Sequence, residues 1–363
     1  MAAMQWCCYK AKLMTETSYD SLLGPYLHGV PNSGGVIKAE PEHFQVVEEL
    51  ELPQQDPQLQ QGEHQWLWVR KRGANTPYVA AQLAKFAGVK ERDVSYSGLK
   101  DRQAITEQWF SIQLPGQQLL PWHELEHPEF SVLQAVLQPR KLKTGTHKRN
   151  RFTIRIEAIT DADAFNQRWQ QVCTQGVPNY YGLQRFGKDG QNISNAVEWL
   201  SGRLRRRLNR TQIGLYLSAA RSFLFNQVLA ERIRHNLLTP LEGEPMLLSG
   251  SQSFFIAEQI DAALLERLAS GDIELSGPLM GSGERQQISQ AQAAELEQRV
   301  FAQYPELLQG LAKQRLDGGR RALLLRPQQA QLNWLSDTVA EISFALPKGC
   351  FATALIRELV TTE

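Results

Sequence analysis

The sequence has few features of secreted or membrane proteins. Only four cysteines occur among 363 residues, and none forms a CxxC pair, so neither a disulfide framework nor a cysteine-based metal site is indicated. The longest apolar stretches are much shorter than the roughly 18–20 residues of a membrane-spanning helix. Residues 1–19 have no continuous apolar core of the kind that signal peptides need. We therefore predict a cytoplasmic protein without membrane attachment, in which residues 1–23 form an N-terminal extension.

Motifs for nucleotides and for the common hydrolases are also missing. No glycine-rich run follows a strand and opens a helix at the required spacing, and no G-x-S-x-G occurs. One zinc-protease pattern, HExxH, does occur at residues 123–127. Pro121 and Pro128 bracket it and leave little room for the helix that would place His123 and His127 on one face. We interpret the segment as an acidic surface turn and expect no metal, although a zinc hydrolase remains an alternative.

Positive charge is unevenly distributed, although the net charge is only +1. Residues 140–155 contain seven Lys or Arg and no acid, and a second run of arginines lies at 203–210. Solvated helical faces usually interleave acids with bases, so these runs favour a defined RNA surface. The candidate contacts to an RNA backbone are Arg140, Lys141, Lys143, Lys148, Arg149, Arg151, Arg205, Arg206 and Arg207.

Hydrophobic periodicity predicts both strands and helices. Alternation predicts strands at 44–47, 66–69, 93–97, 108–114, 151–158 and 339–346, with a loop at 53–65. Helical spacing predicts helices at 76–87, 161–175, 217–234, 291–304 and 351–360, and glycines suggest a loop at 277–283. We expect Thr76 to cap the first helix and Gly88 to end it. The helix-rich middle predicts a second domain that interrupts a mixed sheet.

The most suggestive loop for chemistry is Gly98-Leu99-Lys100-Asp101, between two predicted strands. Loops held between strands commonly carry catalytic groups. Asp101 lies between Lys100 and Arg102, and cations favour the ionised carboxylate that a nucleophile requires. An aspartate in a basic turn is nevertheless more often a turn former or a surface ion pair, so these residues alone leave its role open.

A longer tract, Gly98-x-Lys100-Asp101-x-x-Ala104-x-Thr106-x-Gln108, resembles the signature of the tRNA pseudouridine synthase D (TruD) family. Segments that resemble other motifs of this family occur in order at 37–44, 150–152, 177–187, 218–222, 320–321 and 357–359. The resemblance covers roughly residues 24–363. It implies an α+β fold, in which a pseudouridine-synthase catalytic domain with a mixed, largely antiparallel sheet flanked by helices is formed by residues 24–175 and 323–363. An inserted α/β TRUD domain would occupy residues 176–322.

The resemblance also implies a reaction. Family members isomerise uridine in tRNA to pseudouridine, at position 13 in the D-arm, with an aspartate nucleophile that corresponds to Asp101 and without a cofactor. Whether the carboxylate attacks the base or the ribose stays open. We expect tRNA as the partner and, since no protein partner is evident, a monomer. An RNA-binding protein without catalysis is the alternative, and it would not need Asp101.

Four further residues receive roles by the same resemblance. Phe152 would stack on the uracil, although its alternation along the strand favours a core position. Asn150 would hold the uracil edge or the local backbone. Lys38 would pair with Asp101 or with a phosphate, in competition with an ion pair to a nearby glutamate. Lys100 is the remaining candidate for substrate binding.

Overall fold

The computed structural model describes residues 22–52, 62–282 and 289–362. Residues 1–21 of the predicted N-terminal extension and residues 53–61 of the predicted loop at 53–65 lie outside the described residues. The prediction is wrong for residues 62–65, which belong to the strand Gly62–Arg72. The chain forms two compact units. We call them the sheet unit (Pro31–Thr174, Arg326–Ala352 and Leu359–Glu363) and the insertion unit (residues up to Val30, Gln175–Leu325 and Thr353–Glu358).

The predicted domain boundaries differ from this division at both ends. Residues 24–30 and 353–358, which the sequence places with the catalytic domain, pack within the insertion unit. Arg357 and Glu358 make this contact, because the Arg357 guanidinium donates to the Gly24 carbonyl (2.7 Å) and the Glu358 carboxylate accepts from the Leu27 amide (3.1 Å). The domain boundaries stay predictions.

The strands of the described residues are listed here in chain order: β1 Val36–Ile37, β2 Phe44–Glu49, β3 Gly62–Arg72, β4 Val94–Tyr96, β5 Ile105–Gln117, β6 Phe130–Gln138, β7 Arg149–Glu157, β8 Val177–Pro178, β9 Glu244–Leu248, β10 Phe254–Ala257, β11 Ile273–Leu279, β12 Gly319–Ala322, β13 Leu324–Leu325, β14 Gln328–Ser336 and β15 Val339–Pro347. The α-helices with described bounds are α1 Thr76–Ala87, α2 Ala162–Gln175, α3 Gln191–Leu200, α4 Arg210–Arg234, α5 Ala262–Ser270, α6 Ala291–Phe301, α7 Pro305–Ala312 and α8 Ala352–Leu359. None of these helices is long and apolar enough to span a membrane.

The sheet unit is built on a nine-stranded sheet in the order β14-β15-β7-β2-β5-β3-β6, with β1 added to β7 and β4 to β5. Its neighbours pair antiparallel except β2 and β5, which are parallel. The mixed, largely antiparallel sheet that we predicted is therefore confirmed. Because β7 pairs with β2 on one side and β15 on the other, segments from before and after the insertion complete one sheet.

Helix α1 covers one face of this sheet. Leu67 on β3 and Phe110 and Ile112 on β5 are fully buried in the core cluster that also contains Val79 of α1. The predicted alternation of β5 is therefore confirmed, since each of these side chains points to the same face. The helix ends at Gly88, whose φ of 67° lies in the left-handed region.

The predicted cap of α1 is wrong. Asn75 occupies the cap position and makes no side-chain cap bond. The Thr76 hydroxyl instead donates to the Gln108 side chain on β5 (3.0 Å), because the threonine is fully inside the core where that amide is its polar partner. The residue expected to start a helix therefore connects that helix to the sheet.

The insertion unit contains a four-stranded antiparallel sheet in the order β10-β9-β11-β12 and the two-stranded pair β8-β13. Helix α4 begins at Arg210, earlier than predicted, because Asn209 and Gln212 form a reciprocal capping box. The predicted loop at 277–283 is wrong in its first part. Gly277 lies in β11 opposite Arg321 of β12, and a Cβ there would come within 2.9 Å of the Phe225 ring.

Candidate active site

The loop that carries Asp101 connects β4 to β5 and is fastened to the sheet at several points. The Gln108 side-chain amide donates to the Gly98 carbonyl (2.9 Å), and the Thr76 hydroxyl accepts from the Lys100 amide (3.1 Å). The Lys71 ammonium donates to the Asp101 carbonyl (2.8 Å). Polar side chains of β3, β5 and α1 thus satisfy the loop backbone and fix its position.

The Asp101 carboxylate has a cationic partner 63 positions away in the chain. Lys38 Nζ lies 2.9 Å from Asp101 Oδ2, and the Asp101 side chain remains 34% exposed. The same ammonium lies 4.1 Å from the centroid of the Phe44 ring. Lys38 has a φ of 57°, in the left-handed region that L-residues adopt at a cost. Neither Lys100 nor Arg102, the two sequence neighbours of the aspartate, forms an ion pair with it. Arg102 donates to the Gly73 carbonyl instead (3.2 Å).

Lys100 points instead into the interior of the sheet unit. Its ammonium lies 2.6 Å from Glu48 Oε1 and donates to Oδ1 of the Asn150 side chain (3.0 Å), and both ionic side chains are at least 94% buried. His147 Nδ1 lies 3.8 Å from the same Glu48 oxygen. Burial lowers the pKa of His147 below its ordinary value. Lys100 and Asn150 are thus brought together, in an ion pair and amide network beneath the loop.

Sequence analysis missed Lys71, which is completely buried. Its ammonium donates to the carbonyls of Ala74 and Asp101, both at 2.8 Å. Burial lowers the pKa of Lys71 to about 8, with the Asp101 charge acting in the opposite direction. The signal in the sequence was its position, because on β3 it follows Leu67 and Val69 on the face that alternation reserves for apolar side chains.

Phe152 lies in the core of the sheet unit, as its alternation predicts. It is 7% exposed, and its ring stacks on Phe344 with centroids 5.5 Å apart and an interplanar angle of 25°. Its other aromatic contact is the edge of Phe44 at 6.2 Å. Phe44 therefore touches both Phe152 and the Lys38 ammonium. The stacking of Phe152 on uracil stays a prediction.

The first basic run is partly neutralised by acids that the linear sequence separates from it. Arg149 and Arg151 on β7 both contact the Glu49 carboxylate on β2, with a distance of 2.8 Å for Arg151. Lys148 pairs with Glu51 (2.7 Å). The pairing of β2 with β7 places Glu49 opposite Arg149. Arg140, Lys141 and Lys143 of this run are exposed and form no ion pair with an acid of the described residues.

The second basic run lies in the insertion unit, between α3 and α4. Arg205, Arg206 and Arg207, which we call the basic loop, are all exposed. The Arg206 guanidinium donates to the Tyr216 hydroxyl (3.1 Å). The loop therefore presents its charge to solvent, as an RNA contact requires.

The HExxH segment forms a single turn of 3₁₀ helix, Trp122–Glu124, anchored by the buried Trp122. His127 Nε2 contacts the Tyr78 hydroxyl (3.2 Å), and its ring stacks on Phe130 at 4.3 Å, whereas the His123 side chain is 83% exposed. Among the described residues no group of three or more His, Cys, Asp or Glu side chains could hold a metal ion.

Comparisons with known proteins identify the relatives of this chain. The sequence model of tRNA pseudouridine synthase D (TruD) matches residues 23–198 and 188–359. A protein of Idiomarina loihiensis named tRNA pseudouridine synthase D is 45% identical over 337 residues, which are 93% of this chain and 95% of that protein. One of Aeromonas salmonicida with the same name is 46% identical over 340 residues, 93% of this chain and 94% of the relative.

A solved structure from Methanosarcina mazei, assigned to tRNA pseudouridine synthase D, has a similar fold. Its TM-score is 0.67 at 18% identity, over 95% of this chain and 98% of that one. The fold likeness agrees with the sheet topology, and the sequence matches span most of the chain. On these grounds the chain belongs to the tRNA pseudouridine synthase D (TruD) family.

Proposed function

We propose that this chain isomerises uridine 13 in the D-arm of tRNA to pseudouridine, with Asp101 as the nucleophile and without a cofactor. The observation that carries the proposal is the Asp101 carboxylate, which is one-third exposed, 2.9 Å from the Lys38 ammonium and mounted on a loop fastened to the sheet. Its relatives' names support tRNA as the substrate. We further propose that it acts in the cytoplasm as a monomer.

The reaction needs an ionised carboxylate, and the Lys38 ammonium is the counter-charge beside Asp101. During the isomerisation the N1–C1′ bond breaks, the uracil turns and a C5–C1′ bond forms. The proton lost from C5 is balanced by one gained at N1, so no external reactant is consumed. Attack by Asp101 on the ribose and addition to the base are both compatible with an exposed carboxylate. Lys71 acts as a positioning residue, because it holds the backbone carbonyl of the nucleophile.

The uridine must leave its stack to reach Asp101, at a cost of a few kcal/mol. We propose that Phe152 and its partners offset this cost by providing an aromatic surface close to Lys38. Asn150 and Lys100 support the loop from beneath in this proposal, since each contacts the other.

Phosphate contacts are proposed for the basic side chains named above. The exposure of Arg140, Lys141, Lys143 and the basic loop supports this role. Arg149 and Arg151 would have to exchange Glu49 for phosphate, so we assign them a smaller share of the binding energy.

The test is Asp101→Asn, which keeps the size of the side chain and removes its charge. Pseudouridine formation in an unmodified tRNA transcript is measured together with tRNA binding. We expect turnover to fall by at least about a thousandfold, the range for loss of a covalent nucleophile, while tRNA still binds. Asp337→Asn, at an exposed turn between β14 and β15, is the matched control.

Two outcomes would contradict the proposal. Full activity of Asp101→Asn would remove the catalytic assignment. A wild-type protein that binds tRNA without forming pseudouridine would favour the alternative of an RNA-binding protein without catalysis. A transcript with cytidine at position 13 tests the position, because it should receive no pseudouridine in the D-arm.

A further inference from the structure

Three arginines gather around Tyr181 within the insertion unit. The Arg321 guanidinium carbon lies 4.1 Å from the centroid of the Tyr181 ring, and that of Arg185 lies 5.2 Å from it. Arg221 lines the same cavity as Tyr181. These residues come from β12, from a 3₁₀ turn after β8 and from α4, so the fold assembles the group from separate segments.

A cavity of about 210 Å³ that opens to solvent lies beside this group, and Arg221 is the arginine that lines it. Its wall includes Tyr181, Ser218, Arg221 and the apolar side chains of Leu217 and Leu279. Arg185 Nη1 donates to the Ser218 hydroxyl at this wall (2.8 Å). The cavity is therefore small, partly apolar and edged with hydrogen-bond donors.

The electrostatics of this group indicate an anion as its ligand. Burial lowers the pKa of Arg185, Tyr181 acts in the opposite direction, and the charge of Arg321 lowers this pKa as well, so the two guanidinium groups lie within interaction range. Arg221 Nη2 donates to the backbone carbonyls of Leu279 (3.2 Å) and Asp317 (2.9 Å). Arg221 Nε is buried and has no hydrogen-bond partner among the described residues. Partly buried cations at close range are costly, and an incoming anion would relieve that cost.

We propose that this arginine pocket (Tyr181, Arg185, Ser218, Arg221 and Arg321) binds a phosphate group of the RNA backbone. The planar, multi-donor guanidinium matches the oxygens of a phosphate, and a serine hydroxyl adds a further donor. The inference rests on the proposed function, because tRNA is the polyanion that the chain is proposed to bind.

The test uses the full chain with Arg221→Gln and, separately, Arg185→Gln. The dissociation constant for an unmodified tRNA transcript is measured over a series of salt concentrations. Each variant should bind about tenfold or more weakly, and the slope of log K against log[salt] should become shallower by about 0.7–0.9, the value for one phosphate contact. Turnover at saturating tRNA should stay near wild type, so the change appears in KM. Arg267→Gln is the matched control, since Arg267 is an exposed arginine of the same unit that pairs with Asp272 (2.6 Å).

Loss of folding is separated from loss of binding by a second variant. Arg221→Lys keeps the charge, so it should keep the wild-type salt slope while it binds less tightly through the lost fork geometry. An unchanged salt slope of tRNA binding in both glutamine variants would overturn the proposal. It would also be overturned if Arg221→Lys had a lowered melting temperature and its tRNA binding weakened in parallel, because the loss of binding would then follow from loss of folding.

A measurement with inorganic phosphate distinguishes a phosphate group of the RNA backbone from a free phosphate ion as the ligand of the pocket. If phosphate at millimolar concentration protects the pocket against unfolding but the glutamine variants bind tRNA with the wild-type slope, the pocket serves a free phosphate and the RNA assignment is wrong. Failure of the proposed function looks different, because the wild-type chain would then form no pseudouridine whatever the slopes show.

Discussion

Lys71 provides the sharpest test of the site, because its ammonium is buried and donates to the backbone carbonyl of Asp101, the proposed nucleophile. Its pKa falls from 10.5 to about 8 in the folded chain. At about 1.4 kcal/mol per pH unit, this corresponds to a cost of about 3 kcal/mol for keeping the buried ammonium charged. Lys71→Met keeps the length of the side chain and removes the titrating group.

The sign of the pH dependence follows from proton binding. Below pH 8 Lys71 is protonated in both the folded and the unfolded chain, so the difference in stability between wild type and Lys71→Met is constant. Between pH 8 and 10.5 the folded chain releases this proton while the unfolded chain keeps it, so the wild type gains stability relative to the variant. By pH 9.5 the relative gain should reach about 2 kcal/mol.

The assay is urea unfolding of both proteins at several pH values, followed by tryptophan fluorescence. Most of the tryptophans lie in the sheet unit, so the signal reports mainly on that unit: Trp66, Trp68, Trp109, Trp122, Trp169 and Trp334. A difference in unfolding free energy that stays flat from pH 7 to 9.5 would refute the reasoning. At pH 7 the variant should also lose about a hundredfold in turnover, because the Asp101 carbonyl loses its tether.

The remaining predictions concern the charges around the site. Lys38→Met should lower turnover by about 10–100-fold with little change in tRNA affinity, because Lys38 contacts the Asp101 carboxylate. Lys38→Arg should restore part of the turnover, and a loss of tRNA affinity as large as the loss of turnover would contradict this prediction. Glu48→Gln should cost about 3–5 kcal/mol of unfolding free energy because it leaves the Lys100 ammonium buried and unpaired, and adding Lys100→Met should recover part of the loss. Changing the basic loop to glutamines should flatten the salt dependence of tRNA binding by about two to three contacts, and an unchanged slope would count against its phosphate role.

Local patterns in the sequence predicted the elements well, because periodicity is a property of neighbouring residues. The alternation of Phe110 and Ile112 on β5 and the glycine that ends α1 are both local signals, and the structure confirms them. The loop with Asp101 could also be found from the sequence, because the order of the motifs along the chain can be read without any knowledge of packing. Thr76 shows the limit, because its hydroxyl found a partner on β5 that no helix rule considers.

What the tertiary structure alone decided is which charges meet. Lys38 reaches Asp101 across 63 positions, and Glu48 neutralises Lys100 across the sheet, although Lys100 is adjacent to Asp101 in the chain. Strand pairing likewise brings Glu49 to the arginines of β7. Coulomb energy and hydrogen bonding depend on distance and burial, which are set by the strand register and not by separation in sequence. The sequence therefore determined that this loop carries a carboxylate, and the fold determined that Lys38 is the lysine that pairs with it.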